Sequence, residues 1–304
     1  MRLSNRAHRI GGSILLLAGI LGASRLIWEA NASVPGPISN RHGGHIQVIG
    51  HAGSGFFTPL NPFNPLPPSS LAGVEKALAQ GADGVEIDVQ LSQDSIPMLY
   101  HDPTLTSMTT GSGCVSQKPA AALVKLPYRG GWGYDLFQSE RLITFETLLA
   151  RVARYPRYPY LHLDLHEHDV CGGEYTRSPA LVRALAASIR RYKVPPERLL
   201  ILTTYQPTLR QLKQELPQVP LGLEVTKGEN LSDGLAAARA IGVQAIVIPK
   251  AMATPEQVAQ VQAAGFDAVL FGGRSAGSIR RLVAAHPDAI EVDNVPQLLR
   301  TLQR

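Results

Sequence analysis

The feature that most limits how this 304-residue chain can fold is a rhythm. From His45 onward, short aliphatic or β-branched runs alternate with amphipathic stretches. The runs are Ile46–His51, Gly84–Gln90, Tyr160–His166, Leu199–Thr203, Pro220–Val225, Ala245–Ile248, Ala268–Phe271 and Ala289–Asp293. Between them lie helix-period stretches such as Leu71–Gln80, Pro179–Tyr192, Pro207–Glu215, Glu256–Ala264 and Gly277–Ala285. Parallel strands need crossovers of this kind, and eight strand–helix units predict an α/β fold closed into a (β/α)8 TIM barrel. An open doubly wound sheet is the alternative, but no glycine-rich dinucleotide fingerprint supports it. No close internal repeat or long linker splits the chain, and one barrel routinely fills this length.

Two regions break the rhythm. Residues 54–68, SGFFTPLNPFNPLPP, are too rich in Pro and Asn for regular structure, and they follow the first strand, where barrel loops carry function. The second region is Asp88–His101. Only Ser92-Gln93-Asp94-Ser95 separates its two strand-like halves, too few residues for a parallel crossover. A β-hairpin extension after the second barrel strand is expected, returning His101 and Asp102 beside Glu86 and Asp88.

Strand parity carries the chemical signal. In Val85-Glu86-Ile87-Asp88-Val89, carboxylates alternate with aliphatics, and in Leu161-His162-Leu163-Asp164-Leu165-His166 they share the polar positions with histidines. Successive strand side chains face opposite ways, so the aliphatics pack outward and the polar set points to the barrel axis. Barrel interiors are ordinarily apolar, and an isolated buried carboxylate is costly. Ordinary salt-bridged strand residues are the plainer alternative. Three converging carboxylates with few cationic partners instead suit a hard divalent cation, Ca²⁺ or Mg²⁺, held by Glu86, Asp88 and Asp164. His51 ends the first strand and His101 ends the hairpin, both at the C-terminal rim. Imidazole titrates near neutrality, so the two suit a general acid–base pair.

These motifs resemble the glycerophosphodiester phosphodiesterase family. Its members carry His-Arg-Gly, then Glu-Asn-Thr, Glu-x-Asp-Val, His-Asp and a strand with Glu-x-Lys. This chain has His51-Ala52-Gly53, Glu86-Ile87-Asp88-Val89, His101-Asp102-Pro103, Thr109-Thr110-Gly111-Ser112-Gly113, Asp164-Leu165-His166 and a closing Ile290–Pro296 segment. The resemblance implies a phosphodiesterase that yields glycerol phosphate and an alcohol. It implies Glu86, Asp88 and Asp164 as metal ligands, His51 and His101 as catalytic residues, and Asp102 and His166 as substrate contacts. The chain departs from the pattern in four places: Ala52 for arginine, Pro67-Pro68-Ser69-Ser70 for Pro-Glu-Asn-Thr, Asp164 for glutamate and His166 for lysine. These alter the phosphate-gripping shell more than the acid–base core. A phospholipase D or C acting on lipid head groups and an inactive phosphate-ester-binding barrel are the competing expectations. Phe56, Phe57 and Phe63 would suit membrane contact, or would merely cover one end of the barrel.

Charge excludes one partner class and suggests a compartment. Residues 1–41 hold five arginines against one glutamate, leaving 24 basic and 23 acidic residues elsewhere. The pI of 9.3 is therefore no argument for nucleic acid, and none is expected. Arg2, Arg6 and Arg9 precede the uncharged run Ile10–Ser24, which suits a signal-peptide core better than a membrane span. Ala30-Asn31-Ala32 offers a cleavage site; an uncleaved anchor extended by Leu26–Trp28 is the alternative. The expected organisation is a targeting segment or anchor with a short linker over 1–41 and the barrel over 42–304, outside the cytoplasm or tethered to its membrane. There, Cys114 and Cys171 are expected to form one bridge between loops at the catalytic end.

Overall fold

The computed structural model describes residues 37–60 and 62–304. The targeting run and its cleavage site lie outside the described residues. Among the described residues, no helix is long and apolar enough to cross a membrane.

Ten strands follow in chain order: β1 (Gln47–Gly50), β2 (Gly84–Leu91), β3 (Pro97–Leu99), β4 (Ile143–Thr144), β5 (Tyr160–Leu165), β6 (Leu199–Thr203), β7 (Leu221–Glu224), β8 (Ala245–Pro249), β9 (Asp267–Phe271) and β10 (Ala289–Val292). Eight of them pair in parallel, and β1 bonds both β2 and β10, which closes the barrel. Helices run between the strands and after β10, including Leu71–Ala79, Phe145–Val152, Ser178–Arg191 and Leu231–Ile241. Their starts follow local chemistry: Ser70, Thr144, Asn230, Thr254, Ser275 and Asn294 each accept a first-turn backbone N–H.

Parity governs the packing. Val85, Ile87 and Val89 of β2 and Leu161, Leu163 and Leu165 of β5 join one large cluster with helix residues such as Val74, Leu149 and Leu185. Leu200, Leu202, Ala245, Val247, Val269 and Ala289 form a separate cluster inside the barrel. β3 runs antiparallel to the end of β2, placing Leu99 opposite Val89, and β4 extends this edge by pairing with β3. The long excursion from β3 to β4 has its own small core of Met98, Tyr100, Leu105, Leu123, Tyr128 and Leu142. That core fixes the chain carrying His101 instead of leaving it a free loop.

Candidate active site

One cavity of about 330 Å³ opens at the C-terminal ends of the strands, where barrels of this kind hold their sites. His51, Glu86, Asp88, His101, Asp164, His166, Glu224 and Glu291 line it. β2 and β5 are in register at Asp88 and Asp164, so two carboxylates stand side by side. Glu86, Asp88 and Asp164 each present an oxygen, and these atoms lie within 4.8 Å of one another.

The chain before the first helix helps build this cluster. Ala52 takes a left-handed backbone conformation, φ 46°, and its N–H donates to Glu86 Oε2 at 2.6 Å. Gly53 follows at φ 78°, where a Cβ would stand 2.9 Å from the backbone of Gly73 and Val74, so only glycine lets the turn meet the helix. Ser69 Oγ donates to Asp88 Oδ2 at 2.7 Å. The serine at one of the departed positions thus bonds a carboxylate of this cluster. Asn64, only 2% exposed, donates through its amide to the carbonyls of Ser54, Gly55 and Phe56 and pins the long first loop.

Both histidines are held by aspartates. His51 Nδ1 donates to Asp293 Oδ1 at 2.7 Å, and His101 Nδ1 donates to Asp102 Oδ1 at 2.6 Å. A carboxylate only accepts, so each bond places the proton on Nδ1 and leaves Nε2 for chemistry. His51 Nε2 lies 4.0 Å from Glu86 Oε2. The Phe56 ring stands beside both imidazoles, with centroids 5.5 Å from His51 and 4.9 Å from His101.

The electrostatics sort the carboxylates. Burial pushes Glu86 well above the usual range, and the charges of Asp88, Glu291 and Asp164 push it further. Glu86 Oε1 is buried with no hydrogen-bond partner. Burial would also raise Asp88, but the bond and charge of His166 outweigh it and hold Asp88 well below. For His51, burial favours the neutral ring, yet Asp293, helped by Glu291 and Asp88, keeps its pKa above 6.5. Glu224 is pushed up to about 8, first by burial and then by Asp164 and Glu291.

The expected site residues therefore share one cavity rim, with two differences of role. Asp102 does not line the cavity; its carboxylate grips His101, which makes it a positioning residue for that ring. His166 lies among the carboxylates, its Nε2 3.0 Å from Asp88 Oδ1 and 3.4 Å from Asp164 Oδ2. Sequence reasoning missed Asp293, Glu224, Glu291 and Glu167. Glu291 pairs with His162 Nδ1 at 2.6 Å beneath the site, and buried Glu167 accepts from Thr203 and Thr208. The parity rule applied to Leu221-Gly222-Leu223-Glu224 and Ala289-Ile290-Glu291 would have found two of them. Cys114 and Cys171 form a disulfide, with Cα atoms 6.1 Å apart, joining the β3–β4 excursion to the loop after β5.

The donor set fits a divalent ion. Three carboxylates share one point, and a buried oxygen lacks the partner that such oxygens nearly always have.

Comparison with known proteins agrees with this layout. A glycerophosphodiester phosphodiesterase of Caldanaerobacter subterraneus is 26% identical over 158 residues, 52% of this chain and 61% of that one. YhdW of Bacillus subtilis, which bears the same enzyme designation, is 34% identical over 106 residues. That match covers 35% of this chain and 40% of YhdW, so the chain spans only about two-fifths of that relative's length. Among solved structures, an Oleispira antarctica phosphodiesterase in complex with its product sn-glycerol-3-phosphate superposes with a TM-score of 0.72 at 24% identity, covering 85% of this chain and 97% of that one. At that identity the likeness speaks for the fold. The model of the glycerophosphoryl diester phosphodiesterase family matches residues 63–297, most of the chain, and the chain belongs to that family.

Proposed function

We propose that the protein is a metal-dependent phosphodiesterase that cleaves glycerophosphodiesters to glycerol phosphate and a head-group alcohol. The observation that carries this reading is the convergence of two aspartate-held histidines and three carboxylates on one cavity. Glu86, Asp88 and Asp164 would hold Mg²⁺ or Ca²⁺, which supplies neutralisation of the phosphate's non-bridging oxygens and activation of the attacking oxygen. His51 and His101 divide the proton transfers. One Nε2 takes the proton of the attacking oxygen, and the other donates to the oxygen that leaves phosphorus. Asp293 and Asp102 hold Nδ1–H on each ring, so the base starts neutral with a free Nε2 and the acid starts as imidazolium with its transferable proton on Nε2. The product bound to the Oleispira relative supports glycerol phosphate as the retained half.

A second reading, action on lipid head groups at a membrane surface, rests on a specific patch. Phe56 and Phe57 are half-buried, whereas Leu60, Phe63, Trp132, Leu136 and Phe137 are exposed, with Phe63 packed edge-on against Phe137. This patch belongs to the β1 loop and the β3–β4 excursion, on the cavity's side of the barrel. An extracytoplasmic location is part of the proposal, supported by the basic, then apolar, N-terminus and by the disulfide.

The test is an assay of purified protein with Mg²⁺ or Ca²⁺ against glycerophosphocholine, glycerophosphoethanolamine, lysophosphatidylcholine and bis(p-nitrophenyl) phosphate. Turnover of soluble glycerophosphodiesters that stops in chelator and returns with metal is the expected result. Lysolipid-only turnover favours the membrane reading. No turnover of any diester, or full activity in chelator, overturns the proposal.

A further inference from the structure

We propose that His166 is a fourth ligand of the metal site, and that its nitrogen makes the site prefer a borderline transition-metal ion to Ca²⁺. The inference rests on the metal reading above and deepens it. Asp164 and His166 are two residues apart in sequence, and both side chains turn toward Asp88 of the neighbouring strand. Asp88, His101 and His166 also each offer an atom within 4.8 Å of the others, so Asp88 is common to an oxygen set and a nitrogen-containing set.

The distances fit shared coordination. His166 Nε2 is 3.0 Å from Asp88 Oδ1 and 3.4 Å from Asp164 Oδ2. Neighbouring ligands on one small divalent ion, each bonded at about 2.1 Å, stand roughly 3.0–3.4 Å apart, the range seen here. An ion seated between Asp88 Oδ1 and Asp164 Oδ2 would have the His166 Nε2 lone pair within reach once that nitrogen gives up its hydrogen bonds to them. His101 is the other candidate nitrogen, but Asp102 orients it as one of the proton-transfer pair. The unpartnered Glu86 Oε1 points independently to a cation at this cluster, because Glu86 is only 2% exposed and that oxygen has nothing else to bond.

The chemistry follows from donor type. Ca²⁺ takes six to eight oxygens and gains little from imidazole, whereas Mn²⁺, Co²⁺ and Zn²⁺ accept nitrogen readily. A lysine at this position would keep its charge and offer no lone pair beside two carboxylates, whereas an imidazole can lose its proton and coordinate. With histidine there, the site changes from all-oxygen to mixed oxygen and nitrogen.

Binding of Mn²⁺, Co²⁺, Zn²⁺, Mg²⁺ and Ca²⁺ to the metal-free full chain should be measured by calorimetry for the parent, His166→Ala, His166→Lys and Glu86→Gln. Replacing the histidine should weaken Co²⁺ and Zn²⁺ by about 10-fold or more, within the range seen for groups supporting metal sites, and Ca²⁺ by less than about 3-fold. Electron spin echo spectra of the Mn²⁺-loaded parent should show coordinated ¹⁴N that disappears in His166→Ala. Metal-free melting curves and circular dichroism establish that each variant is folded. Equal weakening of all ions in both His166 variants, or a ¹⁴N signal that survives them, overturns the ligand assignment and leaves the carboxylate site intact. If Glu86→Gln binds every ion as the parent does, or the parent binds none, the metal reading itself fails.

Discussion

Two environments share the inside of this barrel. On β6, β8 and β9 the inward positions hold Leu200, Leu202, Val247 and Val269, which pack together. On β2 and β5 they hold Glu86, Asp88, His162 and Asp164, in register with one another and, through β5, with Leu200 and Leu202. The outward positions show no such difference: Ile87 and Leu163 on one side and Ile201, Ile246 and Leu270 on the other belong to the same cluster. Cohesion with the helices is thus assigned to one face of every strand. The other face is free, most densely on two adjacent strands and through single carboxylates on β7 and β10, to carry groups that would weaken an ordinary core.

The sharpest way to break this comparison is to remove chemistry without touching cohesion. His51→Ala and His101→Ala should each lower turnover of a natural diester by about 10²–10⁴-fold. Melting temperature and metal affinity should barely move. With p-nitrophenolate as leaving group, the variant lacking the general acid should recover, because that group departs unprotonated. Near-parent turnover in both variants would remove the acid–base assignment.

Neighbours on one strand offer the next contrast. Ile87 lies fully buried between Glu86 and Asp88 in sequence but faces the helices. Ile87→Ala should cost about 2–5 kcal/mol by denaturant unfolding. Glu86→Gln should do the reverse in metal-free protein. Glu86 has a raised folded pKa, so the parent loses stability as pH climbs from 4.5 toward that value, and the amide does not. If Glu86→Gln destabilises the metal-free protein at pH 8, the division between the two faces is wrong.

A smaller effect tests the buttress of His51. Its folded pKa stands above 6.5, so its contribution to stability is complete below that pH and disappears as pH rises through the folded value. Asp293→Asn removes the carboxylate that favours the charged ring. The His51 titration, followed by NMR in metal-free protein, should move to lower pH. An unmoved titration would leave Asp293 only a geometric role.

Glu224 should give the smallest change. With a pKa near 8 it is largely protonated at neutrality, so Glu224→Gln should be close to neutral in acid. Between pH 4.5 and about 8 the parent should lose ground steadily to the variant, since the unfolded chain ionises first. Parallel pH–stability curves for the two proteins would contradict a half-buried Glu224 crowded by other carboxylates.

Much of this was legible in the sequence because alternation is a local signal. Pro220–Val225 and Ala268–Phe271 differ from the observed β7 and β9 by a residue or so at their ends. Glu86, Asp88 and Asp164 could be read from runs long enough to show a period of two. Glu224 and Glu291 sit on four-residue strands with a single carboxylate each, so the same alternation is present there but much fainter. The pairing of His51 with Asp293 spans 242 residues and exists only because β1 and β10 close the barrel. The placing of Phe56 beside both imidazoles belongs to a loop whose carbonyls Asn64 collects, a geometry no periodicity announces.

The Cys114–Cys171 bond constrains how the mouth of this barrel can change over evolutionary time. It ties the excursion that carries His101 to the loop that begins at His166, 57 residues apart in sequence, making one closed ring of chain along that side of the cavity. Insertions on either side of the ring must keep the two cysteines within bonding reach, so these segments are poor places to lengthen or shorten. The loops after β6, β7, β8 and β9 carry no such tie. A lineage adapting this scaffold to a different head group would find its latitude there, while the ring holds the side of the mouth that carries Asp164 and His166.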